Sequence, residues 1–253
     1  MIRSWNDHVG FTFCEGAWTQ RPFLGVDELV NCLSSCVLLG VGIRGGLRQG
    51  IDNFTCLLYG ALTVCGIGSL LFHAHLIEAF RFVDELAILY LVSIGFYVAA
   101  LNYLRHKGVC NPVLRYSFAV MSIISFIGIA EIDIFNGNLY LFCVLTAVLV
   151  GGIFLFAVKG DEYLIASERE LVKKGQFACA VASIAWIVDM GFCYEIVSYL
   201  YLHSIWHCLM AVTINYCIEI HESQTKRTDR KGSIYTTSYG PFVFVFASIL
   251  RHV

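Results

Sequence analysis

The run Leu202-His203-Ser204-Ile205-Trp206-His207-Cys208-Leu209-Met210 sets two histidines four residues apart inside an apolar stretch. On a helix that spacing puts both imidazoles on one face, the arrangement from which a tetrahedral zinc ion takes two of its ligands. The chain around it is too apolar for a soluble domain. Of its 253 residues 58% are hydrophobic and 14% charged, against about 45–50% and about 25% in soluble proteins. Ionisable groups inside a membrane span are costly to desolvate unless a metal or a partner compensates, so the histidine pair reads as functional. The run therefore predicts an all-α membrane bundle with a metal site built inside it.

Apolar runs long enough to cross a bilayer, about 20 residues each, fall at 26–43, 54–77, 83–104, 112–132, 139–158, 176–195 and 203–220. The expected fold is a seven-transmembrane helical bundle. Residues 241–250 are apolar but too short to cross and are expected to pack on the bundle or at the interface. No repeat, low-complexity segment or long linker divides the chain, so 1–253 reads as one domain with an N-terminal segment (1–25) and a tail (221–253). Orientation follows from the basic residues. Arg44, Arg48, Arg105, Lys107, Arg115, Lys159, Arg169, Lys173, Lys174, Lys226, Arg227, Arg230, Lys231 and Arg251 share the side of the tail, which is fourteen of seventeen. The positive-inside rule puts that side in the cytosol and the N-terminus in the lumen or exterior. Residues 1–25 lack the apolar core and small residues of a cleavable signal. The net charge of −2 hides this asymmetry and says nothing about partners; no nucleic-acid partner and no obligate protein partner is inferred, and the basic tail reads as a topology signal.

With this topology His73 ends the second span, Asp84 opens the third, and His203 and His207 open the seventh, all at one membrane depth. Three nitrogen ligands with an open fourth position describe a catalytic zinc site, whereas a structural site is closed by four protein ligands. Ser69 precedes His73 by four residues and shares its helical face. Asp84 has two readings, a general base beside the metal or a helix cap favoured by the dipole, and Glu85 is able to share those roles. His75 points away from His73 and is expected to make an ordinary helix-to-helix hydrogen bond. Asp189 and Trp206 are expected behind the ligands, supporting them. The eleven cysteines read mostly as small packing residues. Cys14 and Cys193 both fall on the lumenal side, where an oxidising compartment permits a disulfide; a bonded pair and two free thiols are both open.

These residues carry a resemblance. Gly68-Ser69-Leu70-Leu71-Phe72-His73 with Asp84-Glu85, Trp186-Ile187-Val188-Asp189 with Cys193, and His203-Ser204-Ile205-Trp206-His207 are similar to the alkaline ceramidases. That family is a branch of a wider group of seven-helix membrane hydrolases and receptors that includes the adiponectin and progestin receptors. Cys14-Glu15, the stretch from Glu28 to Ser34, and Gly240-Pro241-Phe242-Val243-Phe244 resemble its opening and closing motifs. The resemblance implies zinc held by His73, His203 and His207, with Ser69 and Asp84 beside it. It also implies hydrolysis of the amide of a ceramide-type lipid to a sphingoid base and a fatty acid, in the endoplasmic reticulum or Golgi membrane.

The same resemblance implies a calcium site in the N-terminal segment, where Glu15 and Glu28 match as Ca²⁺ ligands. Thr12, Phe13 and Ala17 stand at its first acid, its aromatic and its amide. A Ca²⁺ ion takes about six to eight oxygens, so Asp27, Gln20 or Asn31 would have to substitute. Two unpaired carboxylates at close range repel, which favours retained, weak calcium binding. A receptor or lipid sensor of the adiponectin and progestin type is the alternative function. A serine and an acid beside an open coordination position favour the enzyme, and an ion or proton pathway explains the histidine spacing less well.

Overall fold

The computed structural model describes residues 13–15, 25–108, 146–153, 155 and 159–230. Among them the chain forms α1 (Leu29–Gly46), α2 (Asn53–His75), α3 (Glu78–His106), a 3₁₀ turn (Asp161–Tyr163), α4 (Ala166–Gly191), α5 (Glu195–Ser198) and α6 (Leu202–Arg230). Residues 146–153 are helical as well, and no strand occurs among the described residues. The expected span at 112–132, most of the one at 139–158, and the apolar segment at 241–250 lie outside them.

Among the described residues four helices, α1 to α4, are long and apolar enough to cross a membrane. The long helix α6 stands outside that set because it carries His203, Ser204, His207, Asn215 and Glu219 where a lipid-facing helix is apolar. Three helices clearly outrun the expected spans: α3 starts five residues before residue 83. The start of α4 precedes residue 176 by ten residues, and α6 continues ten residues past 220 into the expected tail. Ion pairs hold that extension: Glu222 takes Arg48 from just beyond the end of α1 and Lys226 from its own helix, and Glu168 of α4 takes Arg227.

Polarity is turned inside out, as hydrocarbon surroundings require. On α4, Phe177, Ile184 and Ile187 are exposed along one stripe, while Gly175, Ala178, Ala182 and Ala185 are buried on the other. The small face packs along α6, and α1 packs along both α2 and α6. Small residues at such seams let backbones approach, which is how helices associate where no hydrophobic force separates them from lipid. A Cβ at Gly66 would sit 2.5 Å from the Leu39 nitrogen of α1, and one at Gly68 would sit 2.9 Å from the Asp84 nitrogen of α3.

The α2–α3 corner places the site. At the start of α2 the Asp52 carboxylate caps the backbone N–H groups of Phe54 and Thr55. At its end Leu76 takes the left-handed conformation (φ 47°, ψ 40°), which costs a non-glycine residue about 1–2 kcal/mol. The sharp reversal starts α3 at Glu78. Asp84 is therefore in the second turn of α3, beyond the reach of a cap, and the capping reading of this residue falls away.

Gly68→Ala should lower stability in detergent by about 1–3 kcal/mol through overpacking against α3. Gly60→Ala, where a Cβ meets nothing within 4 Å, should be neutral or slightly stabilising by helix propensity. Thermal unfolding of the two variants side by side checks this, and equal tolerance would contradict the packing account.

Candidate metal centre

Two helix ends bring the three histidines together: the last turn of α2 supplies His73, and the first turns of α6 supply His203 and His207. One ligand atom from each lies within 4.8 Å of the others, and all three side chains are buried. Among the described residues no other group of three or more His, Cys, Asp or Glu converges in this way. His73 Nε2 and His203 Nδ1 are buried without a hydrogen-bond partner. Leaving such atoms unpaired costs about 1–3 kcal/mol each. A metal ion removes that cost, and three imidazoles with one open position suit zinc. The residues present therefore fit such an ion.

The centre is braced from α1. Glu28 Oε2 lies 2.7 Å from His73 Nδ1, and Ser34 Oγ lies 2.7 Å from His207 Nδ1. Asn31 donates from Nδ2 to Glu28 Oε2 at 3.2 Å and accepts from Ser204 Oγ at 2.8 Å, tying α1 to the residue after His203. Ser35 Oγ is 3.0 Å from Ser69 Oγ, which is in turn 3.2 Å from His207 Nε2. Sequence reasoning gave Ser34 and Ser35 no role. Their signal was present: Glu28, Asn31, Ser34 and Ser35 sit at i, i+3, i+6 and i+7, one polar stripe on an otherwise apolar helix.

Asp84 sits one step away from the histidines. Its backbone packs on Gly68 and its Oδ1 accepts from Cys65 Sγ at 3.8 Å. Cys65 is one turn before Ser69 on the same face of α2, so Asp84 flanks the face that carries Ser69 and His73. Glu85 is engaged elsewhere: both its oxygens accept from Arg81 Nη1, at 2.9 and 3.0 Å, and Arg81 Nε donates to Glu78. Between the two neighbouring acids, only Asp84 is turned toward α2. His75 is exposed and lies against Phe80, its ring centroid 5.9 Å from the phenyl ring.

The segment 13–15 closes the top. The Phe13 ring lies 3.7 Å from that of His203 and 5.2 Å from that of His73, centroid to centroid. Trp206 stacks on the other side of His203 at 5.2 Å. Asp189 accepts from the backbone N–H of Cys14 at 3.3 Å and from that of His203, so it holds both the segment and the start of α6. A disulfide joins Cys14 to Cys193.

The expected calcium ligands are occupied by protein donors. Glu15 accepts from the backbone N–H groups of Val30 at 2.7 Å and Asn31 at 2.8 Å, the first turn of α1. Burial pushes the Glu15 carboxyl above its ordinary range, these two donors work against that, and the Glu28 charge adds to it. Glu28 itself takes the Phe13 N–H at 2.9 Å besides His73 and Asn31. The repulsion that favoured calcium is thus relieved by N–H groups, and Asn31 is committed to Glu28 and Ser204. Gln20, Thr12 and Ala17 lie outside the described residues. Those that are described do not fit a calcium ion, since Glu15, Glu28 and Asp27 bring no converging set of oxygens.

A cavity of about 200 Å³ opens between α3, α4 and α6. It begins near Leu91 and Met210, passes Gly95, Gly175 and Ile214, and reaches Asn102 and Gln224 at the opposite end of the bundle. None of the three histidines lines it, but Met210 is less than one turn beyond His207.

Fold and site define a class: a helical membrane protein with an internal three-histidine centre flanked by a serine and a carboxylate. The family model described as Ceramidase matches residues 10–247, nearly the whole chain, and the chain belongs to that family. Comparison with curated proteins finds no match.

Cys193→Ser should release the segment 13–15 from its tether. A cross-link across 179 positions restricts the unfolded chain strongly, and losing one typically costs about 2–5 kcal/mol. Unfolding of the variant, and of the parent with and without reductant, measures the effect. A parent indifferent to reductant would show that the tether does not carry stability.

Proposed function

We propose that the chain is a zinc-dependent ceramide amidohydrolase that releases a sphingoid base and a free fatty acid. The observation that carries this reading is the convergence of three buried imidazoles with two unpartnered nitrogens, in a chain of the ceramidase family. His73, His203 and His207 hold the ion. When bound, zinc supplies Lewis acidity, which polarises the amide carbonyl and makes water a competent nucleophile near neutral pH.

The protein's own groups do the rest. Asp84 accepts the proton as water attacks the carbonyl carbon, and delivers it to the leaving nitrogen as the C–N bond breaks. Ser69 donates to the carbonyl oxygen as negative charge develops there. Phe13 and Trp206, packed on His203, keep bulk water from the ligand side of the ring. A ligand with its amide at the histidines can run an alkyl chain along α6 past Met210 into the apolar cavity. Membrane residence suits such a substrate, and the basic end of the bundle, with Arg44, Arg48 and Lys107, faces the cytosol on the positive-inside rule. That orientation puts the metal centre on the lumenal or exterior side, and the endoplasmic reticulum or Golgi is the proposed membrane.

Purified protein should contain about one zinc per chain, and His203→Ala with His207→Ala should remove both the metal and the release of fatty acid from a ceramide panel. Zinc retained in full by that double variant would overturn the assignment. Asp84→Asn should keep zinc and lower turnover by about 10²–10⁴, the usual worth of a general base. Glu85→Gln should instead act through stability, since that side chain serves Arg81. Equal turnover in the Asp84→Asn variant and the parent would remove Asp84 from the mechanism.

A further inference from the structure

We propose that α1 sets the tautomers of two of the three histidines, with Glu28 the positioning residue for His73 and Ser34 the positioning residue for His207. The proposal rests on the zinc reading above and extends it to residues that do not touch the metal. It also gives Glu28 a task other than calcium binding.

The donor count on each contact makes the assignment. An ionised carboxylate only accepts, so the 2.7 Å contact from Glu28 Oε2 to His73 requires the hydrogen on Nδ1. The lone pair of His73 is then on Nε2, and Nε2 is the buried atom without a partner. Ser34 has one hydroxyl hydrogen, which goes to the Asn31 carbonyl at 2.8 Å. Toward His207 Nδ1, 2.7 Å away, Ser34 Oγ is therefore the acceptor, and that nitrogen too carries the hydrogen. The lone pair of His207 is left on Nε2, facing Ser69. Both rings thus present Nε2 before any ion arrives.

Asn31 makes the device one unit. Its amide donates to Glu28 and accepts from Ser204, between the two histidines of α6. Glu28, Asn31 and Ser34 are all buried, so water does not compete for these bonds. His203 lacks such a brace and is held by the faces of Phe13 and Trp206. The arrangement of a metal-ligating histidine backed by a carboxylate or hydroxyl recurs because it fixes ring orientation and raises ligand basicity, and removing the partner typically costs 10–100-fold in metal affinity.

The test uses full-length protein in detergent with Co²⁺ as the optical probe and zinc affinity from chelator competition. Ser34→Ala should fold like the parent, because alanine is the better helix former, yet bind zinc about 10–100-fold more weakly and alter the visible Co²⁺ band. Ser34→Thr, which restores the hydroxyl, should recover both. Glu28→Gln should weaken binding similarly, and neither added calcium nor its chelation should move the parent's zinc affinity. Parent-like affinity and spectrum in Ser34→Ala would overturn the proposal even if Glu28→Gln fails to fold. Loss of zinc affinity on calcium chelation would return Glu28 to a calcium site and overturn its half of the proposal. A parent that binds neither Co²⁺ nor Zn²⁺ would overturn this inference and the metal reading together, an outcome distinct from parent binding with unaffected variants.

Discussion

A polar atom buried in a helical membrane bundle must find its partner inside the protein, and the architecture follows from that requirement. Three imidazoles, six carboxylates and a guanidinium crowd one end of this bundle, and an unpaired member would cost several kcal/mol in hydrocarbon surroundings. The chain meets the requirement by pairing nearly every group twice. Glu28 takes His73, Asn31 and a backbone N–H; Asp189 takes two backbone N–H groups; Arg81 bridges Glu78 and Glu85. Among the described residues at this end, the buried imidazole atoms left without a partner are His73 Nε2 and His203 Nδ1, around the point where the histidines meet. That restriction is what makes the point a candidate metal site instead of a general polar interior.

The same constraint explains the geometry of the helices that carry it. Glycines 66 and 68 let α1 and α3 approach the α2 backbone closely, so short side chains such as Ser35 and Asp84 reach across the seams. Longer spacing would demand water or longer, more mobile side chains. The strained turn at Leu76 is consistent with this, since it lets α3 begin with only two residues between it and the end of α2 and keeps Asp84 beside the Ser69 face. Strain of this size persists only where surrounding packing fixes it.

The N-terminal segment has become part of the interior by another route. Residues 13–15 have too little apolar surface to bury on their own account. They are held by a disulfide, by Asp189, by Glu15, whose carboxylate caps the first turn of α1, and by Glu28, which takes the Phe13 N–H and also His73. Calcium is not needed to reconcile those carboxylates, because backbone N–H groups at the start of α1 and at Phe13 already do so. Near the N-terminus of a helix this is favourable electrostatically as well.

Composition and the His203/His207 spacing were enough to specify a membrane bundle with a metal-capable helix face, because apolar run length and helical periodicity are properties of the local chain. The alignment of His73 with that pair was legible too, since span boundaries fix depth to within a turn. Helix ends were not: α3 begins at Glu78, α4 at Ala166, and α6 runs on to Arg230. Hydropathy does not register the ion pairs of Glu222 and Glu168, or the reversal at Leu76, that set those ends. Rotation about each helix axis was likewise decided only by packing. It turned Asp84 toward α2 and Glu85 toward Arg81, although the two are adjacent in sequence, and it aimed Ser34 at His207 across 173 positions. A sequence states which face of a helix is polar; which other helix that face meets depends on close contacts between distant residues, and those exist only once the bundle is packed.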